Sequence, residues 1–243
     1  MQMTMAGKTV LVTGANRGLG TALVDELLRR GAKRVYAASR SGAVASGERV
    51  VDVMLDVTDA AQIQRAVGQV ESLDILVNNA GVSVADDLSD RSAFEHHLAV
   101  NLYGTLDVTR AFLPALTRSH GTVVNIISLS ALAAAPVLPA YSVSKAASLS
   151  LTQSFRAQLR GRGVSVYAVL PGPIDTEMVR GLEIPKTSPE DVARATLDGV
   201  EQGEEEIFPD PMSQSLADGW HGGVAKEFER QNAALVPANP VAA

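Results

Sequence analysis

The chain contains a tyrosine and a lysine that are spaced for proton chemistry. Tyr141 and Lys145 are four residues apart in a segment with helical spacing, Tyr141–Leu159, so their side chains share one face of the predicted helix. A lysine ammonium beside a phenol favours the phenolate and lowers the phenol's pKa, which is ordinarily about 10. We therefore expect Tyr141 to act as a general acid or base at a reacting oxygen atom.

Serine side chains near this pair can bind the same oxygen atom. Ser128 ends an apolar run thirteen residues before Tyr141 and can donate a hydrogen bond to that oxygen. Ser130 is an alternative to Ser128, and Ser144 is a weaker alternative because it lies within the helix.

An asparagine completes the set of candidate catalytic residues. Asn101 lies inside a long segment with helical spacing, Phe94–Leu116, although asparagine is a poor helix former. A residue that conflicts with its predicted local structure is a candidate for a functional role.

Two other patterns in the sequence do not predict a site. The segment 142–145 fits the S-x-x-K pattern of β-lactamases, but no Ser-Asp-Asn or Lys-Thr-Gly follows it. The histidines lack ligand-like spacing with carboxylates, so we expect no catalytic metal and assign surface or packing roles to His96, His97, His120 and His221.

A glycine-rich segment, Thr13–Gly20, lies between an apolar run and a helical segment near the N-terminus. Glycines here permit a tight turn and let backbone N–H groups approach a pyrophosphate at the start of the helix. The alternative is a turn that simply requires glycine. Because no Gly-Lys-Ser/Thr follows, the segment is not a P-loop for ATP.

The end of the second apolar run indicates which dinucleotide fits. An acidic residue about 20 positions beyond the glycines would bind the 2′-hydroxyl of NAD, but this chain has Ala38-Ser39-Arg40-Ser41 there. Guanidinium groups match phosphate oxygens, so Arg17 and Arg40 favour NADP. The alternative is that both arginines are ordinary solvated side chains.

The elements that must hold these residues alternate along the chain. Short runs rich in Val and Ile are nearly continuous, which is typical of parallel strands buried on both faces: Thr9–Val12, Val35–Ala38, Val50–Leu55, Ile75–Val77, Val123–Ile127 and Val164–Leu170. Helical spacing separates them, at Leu19–Arg30, Ala60–Val70, Phe94–Leu116 and Tyr141–Leu159. This pattern predicts an α/β fold with a doubly wound parallel sheet of about seven strands in a 3-2-1-4-5-6 order, with Glu206–Phe208 as an added edge strand.

Composition excludes several classes of protein. The 243 residues include 21 Lys and Arg against 27 Asp and Glu, for a net charge of −6, and no cysteine. Disulfides and cysteine-based sites are therefore excluded, and the acidic balance argues against a nucleic-acid binder. No apolar run approaches the roughly 20 residues that span a bilayer. Met1–Lys8 shows no secretory signal, so we expect a single-domain cytoplasmic protein over residues 1–243, with a frayed tail at 236–243.

Four motifs in order resemble the short-chain dehydrogenase/reductase family over roughly residues 7 to 210: Thr13–Gly20, Asn78-Asn79-Ala80-Gly81, Tyr141-Ser142-Val143-Ser144-Lys145 and Pro171-Gly172-Pro173-Ile174-Asp175-Thr176. The resemblance implies a Rossmann fold and hydride transfer between NADP(H) and a ketone, aldehyde or alcohol. It implies that Tyr141 is the general acid/base and that Lys145 binds the nicotinamide ribose. By the same resemblance Ser128 orients the substrate, and Asn101 joins a water-linked proton relay.

The resemblance also implies a set of cofactor-binding residues. Asp56 resembles the family's adenine-contacting aspartate, and the segment 171–176 resembles the one that packs over the nicotinamide. The expected cofactor contacts are Gly14, Asn16, Arg17, Gly18, Leu19, Gly20, Ser39, Arg40, Asp56, Val57, Asn78, Ala80, Gly81, Tyr141, Lys145, Pro171, Gly172, Ile174 and Thr176.

Three stretches are expected to choose the substrate: Gly81–Asp87, Ser130–Ala140 and a lid over about 174–190. They are mostly apolar, with Met178, Val179, Leu182, Ile184 and Pro185 in the lid, so we expect a bulky uncharged carbonyl compound. Arg180 and Lys186 are expected to be solvated. The region Gln214–Arg230, which holds Trp220, resembles the family least and is a candidate for the pocket mouth or a subunit contact.

The resemblance further implies a homotetramer or homodimer that assembles through the two long helices. One alternative function is a dinucleotide-binding regulatory protein that has lost turnover, although the complete Asn, Ser, Tyr and Lys set argues against it. A lyase or dehalogenase would not need the glycines or Lys145, and an enoyl reductase would place more residues between Tyr141 and Lys145.

Overall fold

The Val- and Ile-rich runs form strands of a single parallel sheet. The computed structural model of the protein describes residues 3–41, 47–181 and 183–236. Its strands are β1 (Thr9–Thr13), β2 (Arg34–Ser39), β3 (Val50–Met54), β4 (Ile75–Asn78), β5 (Thr122–Ile126), β6 (Ser165–Val169) and β7 (Glu206–Ile207). They pair in the order β3-β2-β1-β4-β5-β6-β7, and every pairing is parallel.

Helices cover both faces of the sheet. They are α1 (Gly18–Arg29), α2 (Ala60–Gln69), α3 (Arg91–His97), α4 (Thr105–Ser119), α5 (Pro139–Leu159), α6 (Pro189–Gln202), α7 (Pro211–His221) and α8 (Val224–Ala233). One apolar core lies between the sheet and helices α1 and α6, and a second lies between the sheet and helices α2, α4 and α5. The predicted fold class is confirmed: the chain forms one Rossmann-like domain with a doubly wound sheet, and the 206–208 segment supplies the edge strand.

The predicted helix Phe94–Leu116 lies within an unbroken helical run over residues 91–119, but the middle of that run has π-helical geometry. Helix α3 ends at His97, a π-helical stretch runs from Leu98 to Gly104, and α4 begins at Thr105. Two hydroxyl groups add hydrogen bonds to the backbone here, since Thr105 Oγ1 and Ser148 Oγ each donate to the Asn101 carbonyl oxygen at 3.0 Å. The π-helical stretch contains Asn101, whose side chain forms hydrogen bonds with the Val82 backbone.

Helices α6, α7 and α8 are not among the predicted elements. The first two begin with polar caps: the side chain of Ser188 accepts a hydrogen bond from Asp191 N, and Asp210 and Ser213 form a capping box. A proline follows each cap at the first helical position, where its missing N–H has no cost. Helix α7 carries side chains to the mouth of the site described below.

Candidate active site

A cavity of about 780 Å³ lies at the carboxyl ends of the strands, where the chain order reverses between β1 and β4. This is the position at which open α/β sheets bind ligands. Predicted cofactor contacts that line the cavity are Gly14, Asn16, Arg17, Gly18, Leu19, Gly20, Ser39, Arg40, Asp56, Val57, Ala80, Gly81, Tyr141, Lys145, Pro171, Gly172, Ile174 and Thr176. Ser128 and its alternative Ser130 also line it.

The glycine segment is packed so closely that side chains are excluded. Gly14 has a φ of +65°, and a Cβ atom there would lie 2.8 Å from the Ala80 Cα. A Cβ atom on Gly20 would lie 2.1 Å from the Gly14 carbonyl oxygen. Asn79 holds this arrangement, since its Nδ2 donates to the carbonyl oxygens of Thr13 and Gly14 at 2.9 and 3.1 Å. These contacts leave the first N–H groups of α1 facing the cavity as an anion site.

Asn78 lies away from the cavity, which argues against the prediction that its side chain contacts the cofactor. Its side chain is buried in the sheet and does not line the cavity. The Nδ2 atom of Asn78 donates to Thr109 Oγ1 and Asn125 Oδ1, both at 2.9 Å, and so joins β4 to α4 and β5. Asn79, one residue later, lines the cavity instead, although it was not among the predicted contacts.

The two arginines chosen for a phosphate group, Arg17 directly before α1 and Arg40 directly after β2, both line the cavity. Arg17 and Arg40 are exposed and line it, and within the described part of the chain neither forms an ion pair. Asp56 also lines the cavity, and its Oδ1 accepts hydrogen bonds from the backbone N–H and the hydroxyl of Thr58. A glycine cradle, a helix N-terminus and two arginines that form no ion pair with the described residues fit the phosphate groups of a dinucleotide.

Tyr141, Lys145 and Ser128 meet at the centre of the cavity. The Nζ atom of Lys145 lies 5.6 Å from the centroid of the Tyr141 ring and donates to the Ile126 carbonyl oxygen at 3.0 Å. Ser130 donates to Ser128 from its backbone N at 3.2 Å and its hydroxyl at 3.0 Å, which holds the Ser128 side chain in place. The arrangement places a phenol, an ammonium and a hydroxyl around one open volume.

Burial dominates the titration of this group. It raises the pKa of the Tyr141 phenol, and a hydrogen bond with Ser128 opposes that effect. Burial also lowers the pKa of Lys145 to about 8. For the protein chain by itself, the pKa of Tyr141 therefore shifts in the direction opposite to the one predicted from its lysine neighbour alone.

Asn101 is buried and does not line the cavity, but it fixes residues that do. Its Oδ1 accepts from Val82 N at 2.9 Å, and its Nδ2 donates to the Val82 carbonyl oxygen at 3.0 Å and to Ser144 Oγ at 2.9 Å. A Cβ atom on Gly81 would lie 3.3 Å from Asn101 Oδ1 and 3.7 Å from Lys145 Nζ, so glycine permits this close packing. The role of Asn101 in a proton relay stays a prediction.

The three predicted substrate stretches all contribute to the cavity. They supply Val82, Ser83, Ala133, Ala135, Val137, Leu138, Ile174, Thr176, Glu177, Met178, Val179 and Ile184. A parallel β-bridge pairs Ile174, at the start of the lid, with Thr187, near its end. Leu182 lies outside the described residues, and Arg180 is exposed and paired with Glu177.

The region Gln214–Arg230, a candidate for the pocket mouth or a subunit contact, supplies Leu216 to the cavity, and Met212 of α7, which precedes that region, lines the cavity without having been predicted. His96, Ala99 and Val100, from the α3 end and the π-helical stretch, were also not predicted. Within residues 3–41, 47–181 and 183–236, no group of three or more His, Asp or Glu side chains is arranged to hold a metal ion. No helix in those ranges has the length and apolarity to cross a membrane.

Comparisons with known proteins agree with this fold and site. The sequence profile of the short chain dehydrogenase family matches residues 8–186. A 2-(S)-hydroxypropyl-CoM dehydrogenase 3 from Xanthobacter autotrophicus is 37% identical over 212 residues, which cover 80% of this chain and 82% of that protein. A sorbitol dehydrogenase from Cereibacter sphaeroides is 34% identical over 194 residues, which cover 74% of this chain and 76% of that protein.

A solved structure is similar as well. The crystal structure of a short chain dehydrogenase from Burkholderia cenocepacia in complex with NADP matches with a TM-score of 0.86 and 38% sequence identity, covering 94% of this chain and 98% of that chain. The chain therefore belongs to the short-chain dehydrogenase family and is an oxidoreductase of that family.

Proposed function

We propose that the protein interconverts a ketone or aldehyde and the corresponding alcohol, with NADP(H) as its cofactor and Tyr141 as general acid/base. The observation that carries this proposal is the convergence of Tyr141, Lys145 and Ser128 on the cavity that the glycine segment also lines. A dinucleotide site and an acid/base group within one cavity are what hydride transfer coupled to proton transfer requires.

Each side chain has a distinct part in this reaction. When bound, the nicotinamide cofactor supplies hydride for reduction or accepts it for oxidation. In the reductive direction Ser128 donates a hydrogen bond to the carbonyl oxygen, and Tyr141 gives its phenolic proton to that oxygen. The nearby Lys145 ammonium stabilises the resulting phenolate, which recovers a proton from solvent. The net change is one carbonyl, one hydride and one proton giving one alcohol.

The preference for NADP follows from charge. Arg17 and Arg40 line the cavity without ion-pair partners among the described residues, so an additional phosphate on the cofactor's adenine ribose would gain charge-assisted contacts beside them. The similar Burkholderia protein was solved with NADP, which supports the same choice.

The substrate class follows from the walls of the cavity. Ala133, Ala135, Val137 and Leu138 lie on one side, and the lid lies on another. Such walls suit an apolar carbonyl compound. We also propose a cytoplasmic homotetramer or homodimer that assembles through α4 and α5, as the family resemblance implies. A sizing-column elution at the monomer mass would contradict that assembly.

The proposal is tested by following consumption of NADPH, and separately of NADH, with a panel of apolar ketones. We expect turnover with NADPH in the wild type and a loss of at least a hundredfold in kcat for Tyr141→Phe, which keeps the ring but removes the proton. Unchanged turnover in Tyr141→Phe would exclude Tyr141 as the acid/base. Tight NADPH binding without turnover of any panel member would instead favour the regulatory alternative.

Cofactor choice is tested with a second pair of variants. Arg17→Ser combined with Arg40→Ser removes both candidate phosphate ligands, so the Kd for NADPH should rise at least tenfold while the Kd for NADH stays within about twofold. Arg65→Ser, an exposed arginine on α2 that does not line the cavity, is the matched control. Equal effects on NADPH and NADH would contradict the assignment.

A further inference from the structure

Helix α7 forms a wall of the cavity that the predicted substrate stretches do not include. Met212 and Leu216 are four residues apart, so they lie on one face of α7, and both line the cavity together with the lid residues Met178 and Ile184. The cavity mouth is therefore apolar on the lid and on α7.

The side chains around this mouth leave an unusual amount of apolar surface uncovered. The exposed fractions are 45% for Met212, 46% for Leu216, 45% for Met178, 43% for Ile184 and 73% for Val137. Single exposed apolar residues are ordinary, but five from three chain segments around one opening mark a binding surface. Because all five line the same cavity, the ligand of that cavity is the group that would cover them.

Helix α7 is anchored to the same segment that faces the cofactor site. The carboxylate of Asp210, which is buried, accepts hydrogen bonds from Gly172 N at 2.7 Å, Ser213 N at 3.0 Å and Ser213 Oγ at 2.9 Å. A Cβ atom on Gly172 would lie 2.9 Å from Asp210 Oδ1 and 3.4 Å from two atoms of Met212. The start of α7 is thus held against the 171–172 segment, and Met212 has a defined position.

Charge at the mouth argues against an anionic substrate. Glu177 is the acidic side chain that the lid contributes to the cavity, and it is paired with Arg180. The described lid residues that line the cavity include no cationic side chain to bind a substrate carboxylate, whereas an alkyl group would cover apolar surface.

We propose that α7 is a wall of the cavity that determines substrate specificity and that the substrate carries an extended alkyl chain. This chain extends from the carbonyl group and lies with the lid on one side and with Met212 and Leu216 on the other. This inference rests on the proposed function and names the substrate class for it. Met212 and Leu216 bind the chain, and Asp210 is a positioning residue that acts through α7.

The test measures kcat/KM for a series of methyl ketones from butan-2-one to decan-2-one with saturating NADPH. The wild type should gain about fourfold per added methylene, the value expected when a methylene group leaves water. Met212→Ala and Leu216→Ala should each lower kcat/KM for decan-2-one at least fivefold more than for butan-2-one. Val224→Ala, on α8 at a residue that is 87% exposed and outside the cavity, is the control and should keep the wild-type profile.

The anchor is tested in the same series. Asp210→Ala should flatten the chain-length profile, whereas loss of stability alone would lower activity on all members by one factor. A wild-type profile that is flat over the series, with clear turnover of butan-2-one, overturns the inference and leaves the proposed function intact. Absence of turnover for every member overturns both. A steep profile that the α7 variants do not change would assign the chain-binding role to the lid and overturn the role of α7.

Discussion

The Nε2 atom of His97 accepts a hydrogen bond from the backbone N–H of Val84 at 3.0 Å. Its Nδ1 lies 2.8 Å from the Ala93 carbonyl oxygen, so the tautomer that donates from Nδ1 and accepts at Nε2 satisfies both contacts. The buried ring also lies edge-on to Tyr141, with 6.3 Å between centroids. One histidine thus joins the substrate-facing segment after β4 to the proposed acid/base residue.

Replacing His97 should lower turnover, and the size of the loss should depend on whether the new side chain can still accept the hydrogen bond from the Val84 N–H. His97→Phe keeps a ring against Tyr141 but leaves that N–H without its partner, so kcat/KM for a ketone substrate should fall about tenfold, as one lost hydrogen bond predicts. His97→Gln retains an acceptor and should lose less. Steady-state kinetics and thermal unfolding of both variants check this, and equal losses in the two would show that the hydrogen bond is unimportant.

A methyl group on Gly20 should abolish tight cofactor binding. The Cβ atom of Gly20→Ala would lie 2.1 Å from the Gly14 carbonyl oxygen and 2.8 Å from Asn79 Nδ2, so the loop must move. We expect the Kd for NADPH, measured by calorimetry, to rise at least tenfold. Gly68→Ala on α2 is the control, because no atom lies within 4 Å of its Cβ; it should leave binding unchanged and raise stability by up to about 1 kcal/mol. Wild-type affinity in Gly20→Ala would refute the steric argument.

The fold was predictable where local sequence determines structure. Continuous Val and Ile runs predict strands because a parallel sheet buries both of its faces. The π-helical stretch at Leu98–Gly104 was not predictable, since it depends on distant partners. A Cβ atom on Gly104 would lie 2.6 Å from Val57 Cγ2, and the Asn101 side chain bonds to the Val82 backbone.

The candidate site was predictable from contiguous motifs and less so elsewhere. Tyr141 and Lys145 share a helical face, so their spacing predicted that both side chains would lie at one site. Asn78 and Asn79 are adjacent and have identical side chains. Which of the two side chains is buried within the sheet depends only on the residue at which β4 ends. Met212 reaches the cavity through the Asp210–Gly172 contact, which spans 38 residues and has no local signature.

The two adjacent asparagines should separate stability from binding. Asn78→Ala removes hydrogen bonds to Thr109 and Asn125 inside the sheet, so the free energy of unfolding should fall by about 1–3 kcal/mol while the Kd for NADPH changes little. Asn79→Ala frees the glycine segment and should weaken NADPH binding about tenfold. Urea unfolding and NADPH titration of both variants check this. Weakened binding in Asn78→Ala at a normal stability would restore it as a cofactor contact.

The buried Lys145 side chain should lower the free energy of unfolding at neutral pH. Burial lowers its pKa from 10.5 to about 8, so between these values the unfolded chain binds a proton that the folded protein has released, and stability rises with pH. Lys145→Met should therefore be more stable than the wild type at pH 7, by on the order of 1–3 kcal/mol. That advantage should shrink as pH rises from 8 towards 10.5. Urea unfolding at pH 7, 8.5 and 9.5 tests this, and a difference that is constant with pH would contradict it.

A buried charge network ties α8 to the edge of the sheet. Lys226 Nζ lies 2.8 Å from carboxylate oxygens of Glu205, Glu206 and Glu229. Arg156 on α5 contacts Glu206 at 2.7 Å and Glu229 at 2.6 Å. Lys226 and Glu206 are fully buried, so the network fixes α8 against β7 and α5.

Removing one cation from this network should destabilise the fold strongly. Lys226→Met leaves the buried Glu206 carboxylate with Arg156 as its remaining ion-pair partner among the described residues, and breaking a buried pair costs about 3–5 kcal/mol. Arg91→Ala, which breaks an exposed pair with Glu95, is the control and should cost less than about 1 kcal/mol. Glu205 also contributes to the response to acid: burial raises its pKa, but the hydrogen bond from Lys226 and the charges of Arg156 and Lys226 outweigh burial and hold the pKa below its usual value. The stability gained from the lowered pKa of Glu205 is fully present above the ordinary glutamate pKa and is lost as the pH falls through the lowered pKa. The difference in the free energy of unfolding between the wild type and Lys226→Met should therefore become smaller at acid pH. Urea unfolding at pH 7 and pH 4 measures both effects, and a gap of under 1 kcal/mol at pH 7 would show that the network does not stabilise the domain.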